Sequence, residues 1–373
     1  MTRRMILSHR STARPRGRRA GVRATALLAV AAFALAACGS DSDDAGSTGS
    51  DEPSATGASA DAGGADLTVQ LSWIKNAEFA GEFMADTNGY YTDAGFGKVT
   101  LNAGPGATES LVLSGDADFG LTNAVTVGQV VAEEDAPLKI IGTTYQKNPF
   151  TILSLADGGN ILTPEDLIGK RIGVQAGGNE TLFDALLAAN GIDPDDVTKV
   201  PVEYDPAPLI NGDVDGFLAY VTNESIIVES EGYPVSNLLF ADNGLPFVAE
   251  SIVATDQTIA EKPELVKAFL KAEIQGWKDA CADVEEGARL AVEEYGVDLD
   301  LDMDKEVEQN TIQCESLINT DETDANGIFT ISDELIQQNM DTLEAAGIDV
   351  DAEDLFDLSL LTELLEEEPE LTE

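Results

Sequence analysis

The side chains best suited to holding a small molecule stand where short apolar runs end. Trp73 follows the alternating run Leu67-Thr68-Val69-Gln70-Leu71, and Asn76 comes just after it. Thr122 and Asn123 follow Phe119-Gly120-Leu121. Tyr145, Tyr204, Tyr220 and Asn223 lie at or near the ends of other strand-like runs. Gly177-Gly178-Asn179-Glu180 separates Arg171-Ile172-Gly173-Val174 from a helical pattern. Open α/β sheets bind ligands beyond the carboxyl ends of their strands, so all of these are candidate ligand-binding residues. Trp and Tyr faces suit an aromatic ring or a cation. Asn both donates and accepts hydrogen bonds. The two glycines let backbone approach a ligand, and the free N–H groups of the helix behind them can meet an acceptor. A carboxylate at Glu180 selects an amine or amidine donor and penalises anions. The same residues also fit structural roles. Asn76 and Asn179 suit helix caps, Glu180 suits the helix dipole without any ligand, and Trp73 and the tyrosines suit packing.

Several kinds of chemistry are missing. The only histidine is His9, in the basic start of the chain. Without that start, no imidazole remains for a Ser-His triad, a Cys-His pair or a zinc site. No Walker sequence or dinucleotide fingerprint occurs. Carboxylate-only catalysis stays open in principle, but no acid pair stands out. Asp298, Asp300, Asp302 and Asp304 alternate like a calcium loop, yet Met303 and Gln309 stand where such a loop needs Gly and Glu. The expectation is therefore a binder and not an enzyme, with no catalytic residue, metal or cofactor. The net charge of −48 excludes nucleic acid as a partner, because phosphate binding needs a basic face.

The charge is unevenly placed. Residues 1–37 carry eight arginines and no acid. Residues 24–37 are an apolar run too short to span a bilayer of about 30 Å, and the basic-then-apolar order is that of a secretory signal. Leu35-Ala36-Ala37-Cys38-Gly39 resembles a bacterial lipobox. That resemblance implies cleavage before Cys38 and a lipid on it. Residues 39–65 hold no large apolar side chain and read as a flexible tether. Cys281 and Cys314 remain, an even number for an oxidising compartment, either bridged or as two separate thiols.

The elements that must position the candidates follow from periodicity. Strand-like runs alternate with helical patterns from Asp66 to about residue 255, which indicates α/β layers around largely parallel sheets. Pro263 to Asp279 is a strong amphipathic helix with Leu265, Phe269, Ala272 and Gly276 on one side. The acidic end around Glu366-Glu367-Glu368 reads as solvent-facing or frayed.

Several stretches together resemble one family. They are Leu71-Ser72-Trp73-Ile74-Lys75-Asn76, Gly89-Tyr90-Tyr91, Gly115-Asp116-Ala117-Asp118-Phe119-Gly120, Gly177-Gly178-Asn179-Glu180, Gly212-Asp213-Val214-Asp215-Gly216-Phe217, Tyr220-Val221-Thr222-Asn223 and Lys262-Pro263-Glu264-Leu265. They look like the solute-binding proteins of ABC importers in the nitrate, sulfonate and thiamine-precursor group. Within it they are most similar to the thiamine-pyrimidine-precursor (NMT1/THI5-like) branch.

The resemblance covers about residues 66–350. It implies a two-lobed periplasmic-binding-protein-like fold of type II, with the ligand cleft between the lobes. The first lobe is then 66–149 plus the remainder, 256–373, and the second lobe is 150–255. It further implies a monomeric, lipid-anchored receptor outside the cytoplasm that delivers a small heterocycle to ABC permease subunits. Alternatives are a nitrate-, sulfonate- or taurine-type receptor of the same fold, a sensory lipoprotein, and an exported carboxylate-based enzyme. A fungal pyrimidine-synthesising enzyme shares the fold family.

Overall fold

The computed structural model describes residues 60–372, all within one compact unit. The basic and apolar start, Cys38 and the tether up to residue 59 lie outside the described residues. The expected tether does not reach residue 65. Ala60 is buried, and the N–H groups of Ala62 and Gly64 donate to the carbonyls of Ala94 and Gly95 at 2.8 and 2.7 Å. Small side chains let this stretch lie flat on the domain.

Ten strands carry the framework: β1 (Leu67–Gln70), β2 (Val99–Asn102), β3 (Phe119–Thr122), β4 (Leu138–Tyr145), β5 (Phe150–Leu155), β6 (Arg171–Val174), β7 (Thr198–Pro201), β8 (Gly216–Tyr220), β9 (Val235–Leu239) and β10 (Ala249–Thr255). They form two five-stranded sheets, ordered β2-β1-β3-β10-β4 and β7-β6-β8-β5-β9. Both sheets are mixed, not largely parallel. β1 runs parallel to β2 and β3, but β10 runs antiparallel to β3 and β4. β5 likewise runs antiparallel to β8 and β9. The reason lies in the crossings. The chain leaves the first sheet after β4, builds the second, and returns as β10, entering between β3 and β4 from the opposite end. Residues 249–255, expected in the second lobe, therefore belong to the first sheet, where Ile252 faces Leu121.

The helices used below are α1 (Ala80–Thr87), α2 (Thr108–Ser114), α3 (Ala124–Glu134), α4 (Gly178–Ala189), α5 (Glu224–Ser230), α6 (Pro263–Ala282), α7 (Met303–Gln313), α8 (Asp333–Ala345) and α9 (Ser359–Glu367). Pro263 opens α6, where its missing N–H costs nothing. The apolar face of α6 packs on α1 and on the first sheet. The ring of Phe269 stacks on Phe119 with centroids 4.0 Å apart. The approach to α1 is so close that a Cβ on Gly276 would lie 2.2 Å from the carbonyl oxygen of Gly81, so only glycine fits there.

Cys281, near the end of α6, is bonded to Cys314, just beyond α7, with their Cα atoms 5.4 Å apart. The acidic end is not frayed. Leu360, Leu361 and Leu364 of α9 are buried, and Lys267 and Lys271 of α6 reach Glu367 and Glu368 at 3.0 and 2.5 Å. Among the described residues, no helix is long and apolar enough to cross a membrane.

Candidate functional site

A cavity of about 250 Å³ opens between the two sheets, at the carboxyl ends of β1, β3, β6, β7 and β8. The first wall begins with Ser72 and Trp73, directly after β1. A short 3₁₀ turn, Ala77–Phe79, follows and carries Glu78. Thr108 and Glu109 open α2, Thr122 ends β3, and Asn123 caps α3 through its Oδ1, which accepts from Val125 and Thr126 N–H at 3.1 and 3.0 Å. The second wall is built the same way. Gln175 follows β6, Gly178 and Asn179 open α4, Tyr204 follows β7, Tyr220 ends β8, and Asn223 and Glu224 stand at the start of α5. The walls come close at Gly178, where a Cβ would lie 3.4 Å from the Thr126 hydroxyl.

Of the residues singled out from the sequence, Trp73, Thr122, Asn123, Gly178, Asn179, Tyr204, Tyr220 and Asn223 line this cavity. Trp73 and Tyr204 come from opposite walls and meet edge to face, centroids 4.5 Å apart. Four others do not line it. Asn76 is fully buried and caps the 3₁₀ turn, its Oδ1 accepting from the Glu78 N–H at 3.2 Å. Tyr145 is fully buried, and its hydroxyl donates to Gln313 of α7 at 2.7 Å. Gly177 supplies the left-handed backbone, φ 85°, that turns the chain into α4. Glu180 is on the outer side of α4, paired with Lys199 at 3.0 Å.

The sequence reading missed four carboxyl groups that face the cavity: Glu78, Glu109, Glu224 and Glu250. Glu109 accepts from the Thr122 hydroxyl at 2.6 Å. Glu224 accepts from the Tyr220 N–H at 2.8 Å and from Asn223 at 3.0 Å. Glu250 accepts from the Ser72 hydroxyl at 2.8 Å. It has φ 46°, a left-handed conformation uncommon outside glycine, and this turn delivers its carboxyl to the cavity. Burial pushes Glu250 up to about 7, opposed by its hydrogen bonds with Ser72 and Glu78. Burial first, then the charge of Glu250, hold Glu78 well above the usual carboxylate range. Burial also raises Glu224. The pair Glu78–Glu250 therefore holds a proton more tightly than solvated carboxyls do. Among the described residues, no Lys, Arg or His lines the cavity. The Lys305 ammonium of α7, bonded to Glu306 at 3.0 Å and to Gln309, opposes the rise at Glu78 and Glu224 through its charge.

The arrangement offers aromatic faces, amides and carboxyl acceptors to a ligand, and it offers anions no cationic partner. Comparison with known proteins agrees with the fold. A family profile described as NMT1/THI5 like matches residues 76–287, more than half of the chain. The riboflavin-binding protein RibY of Chloroflexus aurantiacus is 28% identical over 236 residues, covering 61% of this chain and 66% of that protein. The 4-amino-5-hydroxymethyl-2-methylpyrimidine phosphate synthase of Schizosaccharomyces pombe is 29% identical over 219 residues, 55% of this chain and 63% of the enzyme. The formylaminopyrimidine-binding protein of Halalkalibacterium halodurans is 23% identical over 217 residues, 57% and 65% of the two chains. This chain thus spans a little under two thirds of the length of these relatives.

Among solved structures, the periplasmic nitrate-binding protein NrtA of Synechocystis PCC 6803 superposes with a TM-score of 0.60 at 12% identity, covering 83% of this chain and 91% of that one. The fold is that of the two-lobed periplasmic binding proteins. One expectation is overturned. The chain was expected not to be an enzyme, for want of histidine, but synthases from Schizosaccharomyces pombe, Legionella pneumophila and Candida albicans are among its relatives. Missing imidazole does not exclude catalysis in such company.

Proposed function

The chain belongs to the NMT1/THI5-like family, and we propose that it captures a small planar nitrogen heterocycle between its two lobes. In this reading it acts as a monomer outside the cytoplasm, anchored by lipid at Cys38, and hands the ring to the permease subunits of an ABC importer. The observation that carries the reading is the cavity wall. Trp73 from one lobe and Tyr204 and Tyr220 from the other give flat faces, and among the described residues no basic side chain awaits an anion. Nitrate and sulfonates call for Arg, Lys or a dense set of N–H donors. The size points to a single ring with short arms, since about 250 Å³ falls below the roughly 300–1,000 Å³ of pockets for drug-sized ligands. The relatives named for riboflavin and formylaminopyrimidine binding support a heterocycle.

Calorimetry on the purified chain is the test. An aminopyrimidine is expected to bind, and nitrate, taurine and alkanesulfonates are not. Tight binding of a sulfonate or nitrate would overturn the ligand class. Mass spectrometry of the ring recovered after incubation reads separately whether it has been altered. The anchor has its own test. Labelled fatty acid is expected to enter the wild-type chain and not Cys38→Ala, and an unlabelled wild type defeats the lipid assignment.

A further inference from the structure

We infer that the cleft takes its heterocycle as a cation, through a protonated amino or amidine group set against the paired carboxyls of Glu78 and Glu250. The inference rests on the heterocycle-receptor reading above and narrows it to a charge class.

Among the described residues, four carboxyl side chains and no basic one line one small cavity. Three of them, Glu78, Glu224 and Glu250, are 2%, 7% and 3% exposed. Burying carboxyls without a cation is unfavourable unless hydrogen bonds or a charge partner compensate. The compensation within the protein is uneven. Both oxygens of Glu224 have donors, from the Tyr220 N–H and the Asn223 amide. Glu109 has the Thr122 hydroxyl. Glu250 has Ser72 on Oε2. Glu78 lines the cavity, and its buried Oε1 receives no donor from the described backbone or side chains, leaving the carboxyl with its contact to Glu250. A buried carboxyl that lacks a donor, in a residue that lines a pocket, marks a place for one.

The backbone supports this. Glu250 is held in a left-handed conformation that a glutamate rarely adopts, just where the chain re-enters the first sheet. Such strain persists where the surrounding structure over-determines it, as it does at ligand clamps. The Glu250 carboxyl lies against that of Glu78. Lys305 offsets part of this charge, lowering Glu78 and Glu224, but its ammonium bonds to Glu306 and Gln309 and not to either of the paired carboxyls. Trp73, Tyr204 and Tyr220 complete the recognition, since aromatic faces attract cations as well as rings.

The experiment compares two probes of the same shape, an aminopyrimidine with an aminomethyl arm and the same ring with a hydroxymethyl arm. The first is protonated at neutral pH and the second is not. A ringless diamine, putrescine, is the third probe. Calorimetry on the wild-type chain is expected to give about ten- to hundredfold tighter binding of the aminomethyl ring, the range of a charge-assisted hydrogen bond. Glu78→Gln and Glu250→Gln, each with its melting temperature recorded, are expected to remove most of that preference while keeping the hydroxymethyl ring bound. Equal affinity of the two rings for wild type overturns the cation inference and leaves the heterocycle receptor standing. Binding of putrescine with neither ring bound keeps the cation and removes the heterocycle. Failure of all three probes overturns both.

Discussion

Trp73 is the residue on which the aromatic part of the site turns. It is half-buried, and it faces Tyr204 across the cleft at 4.5 Å. Trp73→Ala is expected to weaken binding of an aminopyrimidine by about 1–3 kcal/mol, by analogy with aromatic–base stacking. Calorimetry measures this, and unchanged affinity removes the stacking platform. The aromatic part of the site was legible because strand ends in α/β sheets point to the cleft. The same rule misled at Tyr145. It also ends a strand, but its side chain turns toward Gln313, and the sequence does not say which way a terminal side chain faces. Glu180 and Glu224 both open helices. Only the second faces the cavity, because Lys199 holds the first outside. Glu250 left no local signal, since its place depends on a left-handed backbone at a crossing between sheets. In a chain with 69 acidic residues, four that matter do not stand out by type.

At the scale of elements, the contact between α1 and α6 carries a buried acid pair. Glu82 on α1 and Glu273 on α6 are 1% exposed each, and the Tyr91 hydroxyl donates to Glu273. Burial raises Glu273 to about 8, and burial followed by the charge of Glu273 raises Glu82. In the unfolded chain these groups ionise near 4.5. Between that pH and about 8 the folded state binds the extra protons, so stability falls as pH rises through this window. The melting temperature is therefore expected to drop from pH 5 to pH 8, and Glu273→Gln to flatten the drop. An equal slope in that variant places the pH dependence elsewhere. The helix itself was plain from its apolar spacing and its opening proline. That its inner face also holds Glu273 and Lys267 was not, because periodicity treats charged residues as outward-facing. Lys267 is tolerated inside because Glu264 and Glu367 reach it at 3.4 and 3.0 Å.

At the scale of the whole molecule, the disulfide ties the end of α6 to the chain beyond α7 across 33 residues. Replacing both Cys281 and Cys314 with Ala is expected to lower unfolding free energy by about 3–4 kcal/mol on the loop-entropy account. Denaturant titration reads this, and no loss would mean the bridge constrains little. Alternation of short strands and helices made the α/β class legible, but not the return of β10 to the first sheet, because strand partners are chosen by tertiary packing. That return also sets an order of assembly. The second sheet is complete in one stretch, 150–239, and can pair as soon as that stretch is free. The first sheet must wait for Ala249–Thr255 to slot between β3 and β4, a long-range closure that forms late. Until then the inner edges of β3 and β4 are unpaired, so a chain delivered amino end first carries its later segment's lobe finished before its earlier one.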